Sequence, residues 1–372
     1  LDVSPNTPVE QLGVAQMQLV EIAKALSAES QVLIMDEPTA TLTSKEIDRL
    51  FAIIHKLKEK GVTIIYISHR LQEIFEIGDR FSVLRNGRLV GTHPLAGTEI
   101  SDIVKMMVGR DLAQEYLFRN DIEPGKEMFR VEGVRVKDSE YPVSFSVRQG
   151  EILGVAGLVG SGRTEMLRAI FGADPREAGE LYLQGERMDI NHPQDAVKQG
   201  ISFLTENRKE QGLILDMPCY ANITVTNLAE ISRSGLLQTS AELTAAEGLI
   251  ADLAIRTPSS QQLVRNLSGG NQQKIVIAKW LFRTTSVLMI DEPTRGIDVG
   301  AKYEIYTLLW ELAAQGKAII MVSSDLPEIM GICHRVIVFS KGKVSGEVER
   351  AEFDQERILS LAYQEYIQER AV

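Results

Sequence analysis

The chain has 372 residues, of which 44% are hydrophobic and 24% charged, and its formal net charge is −11. This length predicts more than one domain, and the acidic balance argues against nucleic acid as a partner. The longest uncharged stretches are shorter than the roughly 18–20 apolar residues that a membrane-spanning helix needs. The two cysteines, Cys219 and Cys333, lack the spacing of a metal site and indicate reduced thiols.

The first part of the chain alternates amphipathic and apolar segments. The expected elements are a helix over 15–30, a buried strand over Gln31–Met35, a helix over Ile47–Lys60, and further buried strands over Val62–Ser68 and Phe81–Arg85. Strand–helix–strand alternation of this kind predicts an α/β fold with a mainly parallel sheet and helices on both faces.

A polar segment, Asp111–Lys126, carries the pair Pro-Gly and is typical of a linker. It separates a predicted first domain at 1–110 from a second at 127–372. The second domain is expected to open with edge strands and to contain a strand at Gly200–Leu204 and a helical subdomain in Ala221–Pro258. Its last predicted strands, which repeat the order of the first domain, are Val287–Ile290, Ala318–Ser323 and Val336–Phe339.

The two domains repeat each other at a fixed offset of 255 residues. The string Asp-Glu-Pro-Thr begins at Asp36 and again at Asp291, and Arg80 corresponds to Arg335. A glycine-rich loop at Gly157–Thr164 has no counterpart, because the matching position would precede residue 1. We therefore expect one complete and one partial nucleotide-binding unit. Since the chain begins with Leu rather than Met, we also expect a fragment of a longer protein.

The glycine-rich loop follows the predicted strand Ile152–Ala156 and precedes a predicted helix, which is the context of a phosphate-binding loop. Glycines let backbone N–H groups turn inward around phosphate oxygens at the start of a helix. The candidate phosphate ligands are Gly157, Gly160, Ser161, Gly162 and Arg163, and Thr164 is a candidate hydroxyl ligand of Mg²⁺. Arg163 replaces the usual Lys, and its planar fork is not equivalent to an ammonium. A simple glycine-rich turn is the alternative.

A pair of carboxylates follows an apolar strand in both copies. Asp291 is a candidate Mg²⁺ ligand, and Glu292 is a candidate to orient or deprotonate the attacking water. Asp36 and Glu37 hold the same positions in the first copy and are assigned the same roles. Two strand-end caps are the alternative, but the recurrence before Pro-Thr favours the catalytic interpretation.

The string Leu267-Ser268-Gly269-Gly270-Asn271 resembles the signature sequence of the ATP-binding-cassette (ABC) superfamily. A Ser hydroxyl, glycine N–H groups and a helix N-terminus together suit a γ-phosphate. A plain helix cap is the alternative. The first copy has Leu12–Gln16 at this place, without the Ser and the two adjacent glycines. We therefore expect weaker binding of the γ-phosphate by the first copy.

The resemblance to this superfamily assigns three more residues. A His at the end of a strand senses the γ-phosphate in the family, and His69 holds that place in the first copy; its repeat partner is Ser324. Glu206 stands in the loop that links nucleotide to a membrane partner, where most cassettes have Gln. A polar strand cap for His69 and a solvated turn for Glu206 are the alternatives.

Nearly the whole chain resembles the ATPase subunits of bacterial sugar importers of the ribose, galactose and xylose type, which carry two fused cassettes. The resemblance implies the P-loop NTPase fold with a helical subdomain, with ATP and Mg²⁺ as cofactors. It implies membrane-embedded permease subunits as partners, through them a sugar-binding protein, and a peripheral position on the cytoplasmic face of the inner membrane.

In this family each ATP lies between the phosphate loop of one cassette and the signature of the other. One site would join Asp36, Glu37 and His69 to Leu267–Asn271 and Asp298. The other would join Gly157–Thr164, Asp291, Glu292 and Ser324 to Leu12–Gln16. We expect this chain alone to hydrolyse ATP weakly and to be able to form a homodimer through its second domain. The alternatives are a twin-cassette ATPase that acts on ribosomes and a decayed product with exposed apolar strand faces.

Overall fold

A computed structural model describes residues 4–26, 30–39, 42, 44–68, 71–85, 87–99, 102–103, 106, 121–137, 139–158 and 160–368. The chain divides into two compact units, Leu1–Leu112 and Ala113–Val372, here called unit 1 and unit 2. Most of the predicted linker lies outside the described residues, and the domain boundaries placed around it stay a prediction. Among the described helices, none is long and apolar enough to cross a membrane.

The described residues of unit 1 include two small sheets and the helices that pack with them. Its helices are α1 (Val14–Leu26), α2 (Ser44–Glu59) and α3 (Leu71–Ile77). Its strands are β1 (Val32–Asp36) and β2 (Thr63–Ile67), which pair in parallel, and β3 (Arg80–Arg85) and β4 (Arg88–Pro94), which pair antiparallel. Helix α2 has apolar residues three and four apart, and Leu50, Phe51 and Ile54 pack with Leu33 and Met35 of β1 in one core.

The expectation that the strands of unit 1 are buried on both faces is wrong. Leu33 and Met35 are buried, but the opposite face of the β1–β2 pair leaves Ile34 65% and Ile65 48% exposed. The repeat partner of Ile65 in unit 2, Ile320, is fully buried. A continuous apolar run has the same pattern whether one or both faces are covered, so the sequence could not separate the two cases.

Unit 2 is built on a six-stranded sheet in the order β10-β13-β14-β7-β15-β16. The first five strands are parallel and β16 is antiparallel to β15. They are β7 (Ile152–Gly157), β10 (Ile201–Leu204), β13 (Val287–Asp291), β14 (Ala318–Val322), β15 (Arg335–Ser340) and β16 (Lys343–Glu349). In β13, β14 and β15 every residue is buried, as expected for a parallel sheet covered on both faces.

A four-stranded antiparallel sheet and helix α4 cover one face of this sheet. The strands are β5 (Glu127–Val136), β6 (Val143–Arg148), β8 (Arg176–Leu183) and β9 (Glu186–Met188), in the order β6-β5-β8-β9. The helices of unit 2 are α4 (Arg163–Phe171), α5 (Pro193–Lys198), α6 (Cys219–Thr224), α7 (Thr239–Asp252), α8 (Gly269–Leu281), α9 (Val299–Ala314), α10 (Leu326–Ile332) and α11 (Gln355–Gln368). The region predicted as helical, Ala221–Pro258, also holds a short hairpin of β11 (Ser232–Arg233) and β12 (Leu236–Leu237).

The strand order places three strand ends side by side. Strand β14 lies between β13 and β7, and all three run in the same direction. Their last residues are Asp291, Val322 and Gly157. In parallel α/β sheets the carboxyl edge of neighbouring strands is where ligands bind, so the chemistry of the chain is expected at this edge.

The matched pair Ile65 and Ile320 tests the difference in burial between the units. We expect Ile320→Ala to lower the free energy of unfolding of unit 2 by about 2–5 kcal/mol, because it opens a cavity in the core. Ile65→Ala should cost about 1 kcal/mol or less, because half of that side chain already faces solvent. Differential scanning calorimetry of both variants measures the two losses. Equal losses would contradict the exposed face of the β1–β2 pair.

Candidate nucleotide-phosphate site

The turn between β7 and α4 has a backbone that requires glycine. Gly160 and Gly162 have φ of +77° and +95°, in the left-handed region. A Cβ on Gly157, at φ +151°, would lie 2.6 Å from both the carbonyl oxygen of Phe339 and Oγ of Ser161. Ser161 Oγ is buried and has no hydrogen-bond partner among the described residues. The turn thus presents a polar, tightly folded loop at the N-terminus of α4, as a phosphate ligand requires.

A buried hydrogen bond joins the first turn of α4 to the end of β13. Thr164 Oγ1 donates to Asp291 Oδ2 over 2.7 Å. Asp291 is 1% exposed, and its other oxygen, Oδ1, has no partner within the described part of the chain. Burial raises the pKa of the Asp291 carboxyl, while the Thr164 hydroxyl opposes this shift.

This pair of oxygen ligands fits Mg²⁺. A hydroxyl and a carboxylate with a free oxygen are hard ligands, and Mg²⁺ bound with nucleotide commonly uses one or two such groups together with phosphate oxygens and water. The described residues contain no cluster of three or more His, Cys, Asp or Glu side chains that could hold a metal by themselves.

Arg163 points from the glycine turn toward the strand ends. Its Nη1 donates to the carbonyl oxygen of Ser323 over 2.7 Å, and its Nη2 lies 3.9 Å from Glu292 Oε1. Burial lowers the pKa of Arg163, and the nearby carboxylates of Glu292 and Asp291 act in the opposite direction. Arginine stays charged in either case.

Glu292 combines a strained backbone with a shifted pKa. Its φ is +50°, which is uncommon for a residue other than glycine, and Glu37 in unit 1 has φ +47°. Ser324 Oγ donates to Glu292 Oε2 over 3.1 Å. Burial raises the pKa of Glu292 to about 7, and Arg163 and Ser324 lower it. A carboxyl with a pKa near neutrality at a strand end is suited to accept a proton from water.

The predicted signature residues form a second group at the N-termini of α8 and α9. Ser268 is the exposed N-cap of α8, and Asn271 Nδ2 donates to its Oγ over 2.9 Å. A Cβ on Gly270 would lie 2.5 Å from Cβ of Ala301, so glycine allows α8 to approach α9. Asp298 caps α9 by accepting from Ala301 N over 3.0 Å. This group therefore has a structural role as well as its predicted phosphate role.

Two of the remaining signature residues, Leu267 and Gly269, are in close packing contact with other parts of unit 2. Leu267 ends a short 3₁₀ helix and packs against the main core. A Cβ on Gly269 would lie 2.8 Å from Nη2 of Arg208 and 3.0 Å from the carbonyl oxygen of Gly296. Glycine at this position is therefore a packing requirement, which the sequence pattern alone did not indicate.

The loop after β10 is tied to the turn after Glu292. Glu206 forms an ion pair with Arg295. Arg208 donates from Nη1 to the carbonyl oxygen of Arg295 over 2.6 Å and from Nη2 to that of Gly296 over 3.0 Å. The sequence analysis missed Arg208 and Arg295, and their signal was the charged string that begins at Glu206. The charged turn is therefore connected by hydrogen bonds to the 295–296 turn while its side chains stay partly exposed to solvent.

Unit 1 repeats the strand-end geometry. Glu37 N donates to the carbonyl oxygen of Ile67 over 2.9 Å, and Glu292 N donates to that of Val322 over the same distance. Asp36 is exposed, however, whereas Asp291 is buried beneath the first turn of α4. His69 lies outside the described residues. The roles assigned to these residues and to those of unit 2 stay predictions.

Comparison with known proteins identifies the family. A family model described as ABC transporter matches residues 141–295. The ribose import ATP-binding protein RbsA of Bacillus subtilis is 51% identical over 97% of this chain and 73% of its own length. A putative ribose/galactose/methyl galactoside import ATP-binding protein of Agrobacterium fabrum is 51% identical over 97% of this chain and 72% of its own length. The chain therefore belongs to the ABC transporter family of ATP-binding proteins, which confirms the resemblance inferred from its motifs.

Solved structures confirm the fold. A nucleotide-free ATP-binding cassette from an ABC transporter superposes with a TM-score of 0.54 at 19% identity and covers 63% of this chain and 95% of its own. A dimeric cassette in a post-hydrolysis state, bound to ADP and phosphate, gives 0.52 at 22% identity and covers 61% and 100%. The predicted α/β fold of P-loop ATPases is thus correct.

The raised pKa of Glu292 predicts a pH-dependent cost to folding. The carboxyl pKa rises from 4.5 to about 7 on folding, so the unfolded chain loses this proton first as pH increases. Wild-type unit 2 should therefore lose stability relative to Glu292→Gln between about pH 4.5 and 7, by at most about 3 kcal/mol. Both tryptophans, Trp280 and Trp310, lie in unit 2, so their fluorescence during urea unfolding at pH 5 and pH 8 measures the effect.

The exposed Glu311→Gln on α9 is the matched control and should show the same difference from wild type at both pH values. A Glu292→Gln difference that is equally independent of pH would mean that Glu292 titrates in its ordinary range.

Proposed function

We propose that the chain binds ATP with Mg²⁺ at the turn of unit 2 and hydrolyses it to drive the import of a sugar of the ribose or galactose class. One observation carries the chemical part: the first turn of α4 and the ends of β13 and β14 lie together. Thr164 hydrogen-bonds Asp291, Ser324 hydrogen-bonds Glu292, and Arg163 lies 3.9 Å from Glu292. The names of the relatives, which describe sugar import, support this function over an action on ribosomes.

Each group of this site has a chemical task in the proposal. The backbone N–H groups of the glycine turn and the N-terminus of α4 bind phosphate oxygens. Thr164 and Asp291 hold Mg²⁺, which neutralises phosphate charge when it is bound. Arg163 supplies a positive charge beside the phosphates. Glu292 accepts a proton from the attacking water, and the Ser324 hydroxyl keeps the Glu292 carboxylate in place.

The signature group is assigned to a second nucleotide. In the proposal, Leu267–Asn271 and Asp298 bind the γ-phosphate of a nucleotide held by another cassette, and Asp36, Glu37 and His69 keep the roles predicted from the sequence. The exposure of Ser268 supports this, because its hydroxyl is available at the start of α8. The sequence contains one phosphate loop and one intact signature, so we propose that the chain alone hydrolyses ATP weakly and that two chains can pair through unit 2.

The partners follow from the family and belong to the proposal. An import ATP-binding subunit works with membrane-embedded permease subunits and, through them, with a sugar-binding protein, at the cytoplasmic face of the inner membrane. The loop that contains Glu206 is proposed to carry the signal, and its hydrogen bonds to the 295–296 turn support this, because they connect the loop to the segment that follows Glu292.

Removal of the Thr164 hydroxyl tests the Mg²⁺ assignment. We expect Thr164→Val to reduce the gain in ATP affinity caused by Mg²⁺ by about tenfold or more, because a hydrogen bond or ligand bond to a charged group contributes about 1.5–3 kcal/mol. Titration of a fluorescent ATP analogue with and without Mg²⁺ measures this gain. Thr307→Val is the control, since Thr307 bonds only within α9 to the carbonyl oxygen of Tyr303 in the described structure. An unchanged Mg²⁺ effect in Thr164→Val would remove Thr164 from the metal site.

Pairing through unit 2 is tested by sedimentation of Glu292→Gln, which should trap ATP. We expect ATP with Mg²⁺ to shift this variant from monomer to dimer, because each copy supplies a phosphate loop and a signature. Adding Ser268→Ala should weaken the shift. A monomer under all conditions would contradict the pairing, and a dimer that forms equally without ATP would contradict its nucleotide dependence.

A further inference from the structure

A buried glutamate that the proposed chemistry does not use lies directly behind the site. Glu328, on α10, is 1% exposed. It accepts hydrogen bonds from Thr294 Oγ1, over 3.0 Å, and from Ser323 Oγ. Burial raises the pKa of its carboxyl, and the two hydroxyl donors lower it. Burying a carboxylate is unfavourable unless its hydrogen bonds are made, so both hydroxyls matter for this side chain.

The direction of one of these hydrogen bonds is fixed. Ser323 Oγ accepts from the backbone N–H of Asp325 over 3.0 Å, so its own proton is directed to Glu328. The carbonyl oxygen of the same residue, Ser323, accepts from Arg163. The next residue, Ser324, donates to Glu292. One side of the Glu328 carboxylate therefore fixes the segment that contacts both Arg163 and Glu292.

The other side of the carboxylate fixes the segment that carries Glu292 itself. Thr294 lies two residues beyond Glu292, in the turn that follows β13. Glu328 thus connects the turn after β13 with the turn after β14. These are the two turns whose side chains meet in the hydrogen bond from Ser324 to Glu292.

The same arrangement occurs in unit 1 at the repeat positions. Thr39 Oγ1 donates to both oxygens of Glu73, over 2.7 and 3.0 Å, and Ser68 Oγ donates to Oε2 over 3.0 Å. Tyr66 adds a third hydroxyl over 2.8 Å. Glu73 is also buried. A buried carboxylate thus joins the same two turns in both units. The arrangement belongs to the geometry of these strand ends and not to the surroundings of Glu328 alone.

We propose that Glu328 is a positioning residue for the ATP site: it clamps the two turns so that Glu292, Ser324 and the carbonyl oxygen that receives Arg163 keep their spacing. The inference rests on the proposed function for its role in hydrolysis, but the clamp itself concerns the two turns and is independent of turnover. Glu328 does not contact the reacting atoms in this proposal and acts through Glu292.

Hydrogen exchange measures the clamp directly. Glu328→Leu replaces the carboxylate with an apolar side chain of similar size, so both hydroxyls lose their acceptor. We expect amide exchange of segments 291–297 and 322–326 to increase about tenfold or more. Segment 160–164 should change little. In Glu328→Gln the amide oxygen still accepts from one hydroxyl, so the increase should be smaller. Glu311→Gln is the control. Unchanged exchange of both segments in Glu328→Leu overturns the proposal.

ATP turnover is the last measurement, and it distinguishes the proposed hydrolysis from the proposed clamp. Small misplacements of a catalytic group cost about 10²-fold in rate, so kcat of Glu328→Gln should fall at least about tenfold while its Kd for ATP changes less than about threefold. Equal losses in kcat and affinity would contradict a positioning role. If wild type has no measurable turnover, the hydrolysis proposal fails, and the exchange results still decide the clamp.

Discussion

The hydrogen bond from Thr164 to Asp291 determines how the site can work, because it joins two elements that are far apart in sequence. Thr164 begins the helix after the glycine turn, and Asp291 ends a strand two positions away in the sheet. The bond exists only because β14 separates β7 and β13 by a single strand and all three run in the same direction. The order of the strands therefore brings the start of the helix after the glycine turn and the end of β13 together in one group of oxygen ligands.

Electrostatics explains why such a site suits a charged ligand that brings its own cation. Asp291, Glu292 and Glu328 are carboxyls whose pKa values are raised by burial. Arg163 is the buried guanidinium beside the first two. A bound divalent cation would offset the negative charge of Asp291, and a phosphate anion would offset the positive charges of that cation and of Arg163. Nucleotide and metal are thus expected to stabilise each other in this site more than either is stabilised alone.

Much of the site could be predicted from the sequence because its motifs are local. A strand, a glycine turn and a helix follow one another within Ile152–Phe171, and their backbone conformation depends mainly on neighbouring residues. The fold class followed for the same reason, from alternating strands and helices. The clamp by Glu328 was not predictable, because the spacing between Thr294, Ser323 and Glu328 acquires meaning only when β13 and β14 lie side by side. Arg208 was missed because its partners are backbone carbonyls, so the charged string that begins at Glu206 does not indicate which of its residues forms the hydrogen bonds. The burial of strands marks a second limit: Ile65 and Ile320 occupy the same repeat position, yet one is half exposed and the other is buried beneath the antiparallel sheet and α4. Elements elsewhere in the chain make that difference, so the strand's own composition cannot reveal it.

The comparison of the two units separates what the strand-end turn needs from what the phosphate loop adds. Glu37 and Glu292 share a positive φ, the same backbone hydrogen bond to the neighbouring strand, and a clamp by a buried glutamate. A strained residue of this kind costs of order 1–3 kcal/mol and persists only where its surroundings hold it. In unit 1 the surroundings that hold it are the β1–β2 pair and the Glu73 clamp, and Asp36 is exposed. The turn geometry is therefore a property of the strand pair and its clamp. The glycine turn and the first turn of α4 contribute the burial of the adjacent aspartate, and with it the environment of the carboxylate that we propose as a metal ligand.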